Sequence, residues 1–350
     1  MSHNITIEGG TSLRLKTAGK YCDRDIVVTS SGGTEDLEAV LNEQEALIAE
    51  LKETLNGKAS GGGGGGSSEE EWIGDGNTHI WISLAEGRTS PMLGFAVNGT
   101  ATIDWGDGSQ PDTMTGTSTS SNFVRYNTHK YKNAGDYIIT LSGDCKIAIH
   151  GDSSGKSHTK LLVHVDGVSA GASYSYGNSI KKVELGSNVT VVGGYAFKNC
   201  DGLKSVVIPE SVTSLSNNTF DGCVALENAT FPENETSVYS SAFRDCYSIT
   251  SVTVPEGVTN IATYAFYQCR NLVNVHMPSS LEIIQAYAFA SCYSVAYYDF
   301  SKHTVVPTLS ATNAFSNIPA DCQIRVPASL VDEWKAASNW SSYASNIVGV

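Results

Sequence analysis

Positive charge is scarce in this 350-residue chain, where 22 lysines and arginines stand against 36 aspartates and glutamates and the formal net charge is -14. A protein that neutralises phosphates needs the opposite surplus, because counterion release supplies most nucleic-acid affinity, so nucleic acid is excluded as a partner. The same deficit disfavours an anionic membrane surface. No run of about 18 apolar residues occurs, so no membrane insertion is expected. Met1 to Gly10 lacks the basic and apolar stretches of a secretory signal, which predicts a soluble protein made in the cytosol. Charged residues of either sign make up only 17%, against roughly 25% in ordinary soluble domains, and Ser, Thr, Asn and 34 glycines fill the polar quota. That balance predicts β-structure and turns over helix bundles.

Chemistry-bearing motifs are missing too. There is no phosphate-binding glycine loop, no Gly-x-Ser-x-Gly elbow, no His-Glu-x-x-His and no Cys-x-x-Cys. The eight histidines are scattered, with His150, His158 and His164 nearest to a cluster. Asp104, Asp107 and Asp112 could offer oxygens to calcium but lack the EF-hand spacing, and turn shaping by Asp and Gly is the preferred reading. No catalytic residue, cofactor or metal is expected.

What is present divides the chain by composition. Residues 1–33 hold two short alternating pieces, Ile5-Thr6-Ile7 and Asp25-Ile26-Val27-Val28-Thr29, and read as a small β-unit too small to bury a core alone. In residues 34–58, Leu37, Leu41, Gln44, Ile48, Leu51 and Leu55 recur at three- and four-residue steps, the seam of a short coiled coil. Thr34 suits its N-cap and Gly57 its left-handed C-cap. With five apolar residues on a helix about 35 Å long, this seam needs partner helices, and a homotrimer is expected. Residues 59–71 contain Gly61 to Gly66, a flexible tether. Residues 72–150 show short alternating strands between turn signals, as in a β-sandwich.

The strongest signal is a repeat. Phe197, Phe220, Phe243, Phe266 and Phe289 are spaced by 23 residues, and Phe315 follows after 26. Cys200, Cys223, Cys246, Cys269 and Cys292 keep the step, as do Pro209, Pro232, Pro255 and Pro278. Each unit reads as an alternating strand ended by proline, an apolar pair such as Val258 and Ile261, and then Ala-Phe-x-x-Cys. One coil buries nothing alone, whereas six stacked coils of residues 151–326 bury a continuous core filled by the phenylalanines and cysteines. Residues 327–350, with Val331, Trp334 and Trp340, read as a terminal cap. Tyrosines concentrate in the repeats. Tyr195, Tyr264 and Tyr287 lie two before the phenylalanine, and with Tyr247, Tyr267 and Tyr293 they form a candidate recognition surface of rigid, amphipathic side chains.

Three resemblances follow from these residues. Ala196-Phe197-Lys198-Asn199-Cys200 through Ala288-Phe289-Ala290-Ser291-Cys292 resembles the BspA-type leucine-rich repeat, which implies a surface-recognition solenoid. Asp104-Trp105-Gly106-Asp107-Gly108 with His129-Lys130-Tyr131 and Gly135-Asp136-Tyr137 resembles the polycystic-kidney-disease (PKD)-type immunoglobulin-like domain. Ile5 to Thr29 is similar to an N-terminal module of phage virion proteins. The fold expected is mainly β: N-terminal β-unit, coiled coil, PKD-like sandwich and leucine-rich-repeat solenoid. The function expected is a trimeric, non-enzymatic phage fibre or receptor-binding protein. It would sit in the virion through its N-terminal unit and other virion proteins, and bind a host-surface glycan or protein. A bacterial cell-surface adhesin of the leucine-rich-repeat type is the alternative, and a fibre-borne glycan depolymerase the second. Between Thr34 and Lys58 lie seven acids and two lysines, and Glu69 to Glu71 add three acids, so most of the negative charge belongs to the stalk and tether.

Overall fold

The computed structural model describes residues 73–151, 161–164 and 179–350, together with the backbone of two strands, β1 (Lys16–Thr17) and β2 (Lys20–Tyr21). The chain divides into two units, Met1–Glu71 and Trp72–Val350. In the first, β1 and β2 pair antiparallel, Lys16 opposite Tyr21. The strands expected at Ile5-Thr6-Ile7 and Asp25 to Thr29, the heptad seam and the glycine tether lie outside the described residues.

The second unit opens with an antiparallel assembly of β3 (Thr78–Leu84), β4 (Pro91–Asp104), β5 (Asp112–Ser118), β6 (Arg125–Thr128), β7 (Gly135–Ser142), β8 (Cys145–Ile149) and β9 (Leu162–His164). β4 is the hub, pairing with β5 to β9 along its 14 residues. Alternation places Ile80, Ile82, Phe95, Val97, Ile139 and Leu141 in one core. The β-unit's sheet also takes in a strand past residue 150. β9 lies beyond it and pairs with Pro91 to Leu93, and a three-residue strand carries too little alternation to be read from sequence.

The Asp-Gly turn has a steric cause. Gly106 has φ 74°, and a Cβ there would stand 2.4 Å from the Ile138 carbonyl oxygen, so only glycine fits. Beside it Trp105 is buried, donates from Nε1 to Asp112 (2.8 Å) and accepts at its carbonyl from the Tyr131 hydroxyl (2.9 Å). The His129 ring stacks on Trp105 with centroids 4.7 Å apart, and its Nε2 lies 2.8 Å from Asp107. Hydrogen bonds from Ser109 and then His129 hold the Asp107 carboxyl down to about 2. Asp104 accepts from the Gly106 N–H. Each of the three aspartates therefore serves a turn or a side chain of this unit.

The repeats wind as a solenoid with two parallel ladders. One holds β14 (Ser251–Thr253), β16 (Asn274–His276), β18 (Tyr297–Asp299), β20 (Gln323–Val326) and β21 (Ile347–Gly349). The other holds β13 (Ser237–Val238), β15 (Asn260–Ile261), β17 (Ile283–Ile284) and β19 (Thr308–Leu309). The first coil, β10 (Ile180–Glu184) and β11 (Val189–Val192), joins the β-unit's sheet, β10 antiparallel to β3 and β11 parallel to β8, and β12 (Ser205–Val207) continues from β10. Sheet and core thus run from the β-unit into the repeats without a break. Glu184 on β10 also accepts the N–H groups of Ile73 (2.9 Å) and Gly74 (2.8 Å).

Inside, Phe197, Phe220, Phe243, Phe266, Phe289 and Phe315 form one stack, with successive centroids 5.3, 5.4, 5.3, 5.1 and 5.5 Å apart. The cysteines are buried donors. The thiols of Cys223, Cys246, Cys269 and Cys292 reach the carbonyl oxygens of Phe197, Phe220, Phe243 and Phe266 in the preceding coil, at 3.0, 3.2, 3.2 and 3.3 Å. Burial pushes these thiols up, Cys292 to about 12, which keeps the S–H proton in place. Coil three breaks the pattern, since Glu235 occupies the buried position that Val258 and Leu281 fill elsewhere. Its carboxylate accepts from the Leu215 N–H at 2.8 Å, and burial raises its pKa.

At the far end α1 (Val331–Ala336) packs Trp334 against Phe300, and Trp340 lies edge-on to Phe300. Side chains here replace the missing next coil. Trp340 Nε1 donates to the Pro307 carbonyl (2.7 Å), Asn339 to Leu309 (2.6 Å) and Asn346 to Cys322 (2.9 Å). The Tyr343 hydroxyl accepts from the Phe315 N–H at 3.2 Å and donates to the Thr312 carbonyl. The cap also adds β21, which extends the solenoid sheet.

Two outcomes are expected. Thiol titration of the native protein misses the six buried cysteines, and denaturant without reductant brings the count to eight. A lower denatured count would mean that disulfides form. Tyr343→Phe leaves the Phe315 N–H and Thr312 carbonyl without their partner and lowers unfolding free energy by about 1–3 kcal/mol, read from denaturant melts at constant slope.

Candidate functional site

The tyrosine-bearing edge is built by an uncommon backbone. Two residues before each of the first five stacked phenylalanines the chain is left-handed, at Tyr195 (φ 61°), Asn218 (58°), Ser241 (54°), Tyr264 (60°) and Tyr287 (58°). It is left-handed again two residues after, at Asn199, Gly222, Asp245, Gln268, Ser291 and Asn317. Non-glycine residues adopt this region at a cost of about 1–2 kcal/mol each. The return is a second set of hydrogen bonds between coils. Tyr195 N–H donates to Asn217, Tyr264 to Ala286, Asp245 to Tyr267, Gln268 to Ala290 and Ser291 to Ser316, between 2.7 and 3.2 Å. The phenylalanine between them donates likewise, Phe243 to Ala265 at 2.8 Å.

On this frame the six tyrosines separate into groups. Tyr264 and Tyr287 stack in adjacent coils, centroids 5.0 Å apart and planes at 5°, and Tyr267 meets Tyr264 edge-on at 5.3 Å. Tyr247 lies under the Arg270 guanidinium, 4.5 Å from the ring centroid, and Arg270 is steadied by Gln268. Burial and the adjacent Asp245 push the Tyr247 phenol up. Tyr293 is 54% exposed and Tyr287 36%. Tyr195 stands apart, three coils from Tyr264 across Asn218 and Ser241, with the Lys198 ammonium 5.4 Å from its ring. Lys198 in turn pairs with the buried Asp221 at 2.7 Å.

A second exposed set escapes a reading by residue type. Along the broad ladder Val252, Val275, Tyr298 and Ile324 point into the core, and their neighbours point out. The outward positions carry Ser251 and Thr253, then Asn274 and His276, then Tyr297 and Asp299, then Gln323 and Arg325. His276 lies edge-on to Tyr297 at 5.7 Å, and its Nδ1 is 3.3 Å from Asp299. Burial opposes the charge on Asp299, yet hydrogen bonds from Ser301 and His276 hold its pKa below the usual value. The signal for this row was period-two alternation flanking the repeat's core valine.

Among the described residues no group of three metal-ligating side chains converges. His150 is buried with Nε2 2.9 Å from the Thr119 carbonyl, and the side chains of His158 and His164 lie outside the described residues.

Residues 170–296 match the BspA type leucine rich repeat region in six copies, so the chain carries that repeat. It is similar to a leucine rich cell surface protein of Faecalibacterium prausnitzii A2-165 (30% identity, 39% of this chain and 35% of that chain, TM-score 0.33). It is also similar to the leucine rich repeat protein of T. pallidum (23% identity, 40% and 65%, TM-score 0.36). A third likeness is to a leucine-rich repeat protein of Bacteroides ovatus ATCC 8483 (26% identity, 42% and 45%, TM-score 0.33). The matches span 35% to 65% of those proteins' own lengths. No curated protein matches the chain.

The left-handed frame makes a prediction against ordinary propensity. Tyr287→Ala and Tyr287→Gly both lose the stack on Tyr264, but only alanine retains the strained backbone. The glycine variant is expected to be the more stable by about 1 kcal/mol in denaturant melts. The reverse order would show that the left-handed conformation costs nothing there.

Proposed function

We propose that this protein is a non-enzymatic surface-recognition module of the adhesin kind, binding a glycan or protein on a cell surface through its repeats. The observation that carries the reading is the tyrosine edge. Large aromatic side chains stand in rows on a backbone fixed by hydrogen bonds between coils, which gives contact area at small entropic cost. The BspA-type repeat match over residues 170–296 supports a bacterial cell-surface setting, the second of the two settings the sequence suggests. The virion reading, with attachment through residues 1–33 and trimerisation through Leu37, Leu41, Gln44, Ile48, Leu51 and Leu55, rests on the sequence of that region alone. A trimeric stalk would add avidity to weak single sites in either setting. Kinship of the β-unit with PKD-like domains is supported by the cluster of Trp105, Asp107, His129 and Tyr131.

The full chain is expected to bind cells or isolated cell-wall polysaccharide without cleaving it. The double variant Tyr287→Ala/Tyr293→Ala should bind at least about tenfold more weakly, read by flow cytometry with the labelled protein. Release of shortened saccharide would favour the depolymerase reading, and undiminished binding by the double variant would remove the tyrosine edge from recognition. Light scattering of the full chain tests the trimer, and a monomer at high concentration would sink it.

A further inference from the structure

Arg325 combines a tyrosine stack with two terminal nitrogens that have no partner among the described residues; Arg270 also stacks on a tyrosine, Tyr247, but spends Nη2 on Gln268. Lys198 pairs with Asp221, and Arg244 lies 3.2 Å from Asp245 and 3.7 Å from Asp221. Arg325 makes no ion pair among the described residues. Its guanidinium stacks on Tyr297 with the carbon 3.9 Å from the ring centroid, and Nε donates to Gln323 at 2.9 Å. Asp299 is its register partner on the neighbouring strand and the obvious counter-ion. That carboxylate is turned away, one oxygen accepting from Ser301 N–H (2.9 Å) and the other facing His276 (3.3 Å). The result is a planar cation held on one face by a ring and at one nitrogen by an amide, with both terminal nitrogens unused. A guanidinium presents these two nitrogens as a fork whose spacing matches a carboxylate.

We propose that Arg325, on its Tyr297 and Gln323 supports, binds the carboxylate of an acidic saccharide lying across the solenoid's broad sheet. The hydroxyl-rich part of such a ligand meets Ser251, Thr253 and Asn274 on the strands before it, short polar side chains that can exchange hydrogen bonds with sugar hydroxyls. His276, the other basic side chain of the row, lies beside Tyr297 and complements the ligand's charge when protonated. The site lies on the sheet, whereas the tyrosine edge is built by the turns, so it deepens the surface-recognition reading and rests on it. An acidic peptide would satisfy the same fork but has no use for the hydroxyl and amide row.

The test uses the full chain against oligogalacturonate, hyaluronate and polysialate, with methyl-esterified oligogalacturonate and polyglutamate as controls, by calorimetry at moderate salt. At least one acidic saccharide is expected to bind, while the ester and polyglutamate do not. Arg325→Gln should weaken that binding by about tenfold or more, and Arg325→Lys, which keeps the charge but not the fork, should weaken it nearly as much. Lys132→Gln, which removes an exposed cation of the β-unit, should leave saccharide binding intact, which separates the fork from general charge. Thermal midpoints of the Arg325 variants close to the parent establish that the fold is retained. The proposal is overturned if none of the three saccharides binds, if Arg325→Gln binds as well as the parent, or if the ester or polyglutamate binds equally. Cell binding that persists in Arg325→Gln but is lost in the tyrosine variant would leave surface recognition standing and remove this site from it.

Discussion

Everything in the repeats depends on the peptide hydrogen bond that each phenylalanine donates to the next coil. It holds neighbouring coils at one separation, and the ring stack of 5.1 to 5.5 Å shows that separation side chain by side chain. For the N–H groups at Phe, and at the residues two before and two after, to point the same way along the axis, the flanking residues take left-handed backbone. The cysteine then fits because a small S–H donor reaches the preceding phenylalanine carbonyl from inside the core. Strain at the edge and burial of polar sulfur are both consequences of this one spacing.

Much of this was legible because a repeat multiplies weak signals. One Phe-x-x-Cys means little, while five at a constant step identify core positions, and those residues are buried. What was illegible shares a physical cause: it depends on neighbours in the next coil, not on the local sequence. Nothing in Tyr264 or Gln268 itself announces positive φ; the only hint is the asparagine and glycine at the equivalent places in other coils. Glu235 reads as a surface acid, yet it lies inside, where its carboxylate accepts the Leu215 N–H of the coil before. The row from Ser251 to Arg325 is plain alternation in the sequence, and only the parallel register of its short strands lines it up as one surface.

The continuity of the sheet changes the meaning of the segment before the repeats. A solenoid has two raw ends, and each exposes strand edges and core side chains. At the carboxyl end Tyr343, Trp340, Asn339 and Asn346 close it by side-chain mimicry of a further coil. At the other end β3 and β8 close it with backbone, pairing with β10 and β11. The close fit of Gly193 against His150, where a Cβ would stand 2.1 Å from Nδ1, belongs to the same seam. The β-unit therefore caps the amino-terminal end of the solenoid.

Glu184 gives that seam a mechanical meaning. It grips the backbone at Ile73 and Gly74 from the first strand of the solenoid, not from the β-unit that follows them in sequence. Any displacement of Ile73 and Gly74 has to break these two hydrogen bonds to the solenoid's opening strand before it can reach β3. One carboxylate thus works as a clasp, closing the start of the β-unit onto the first strand of the solenoid.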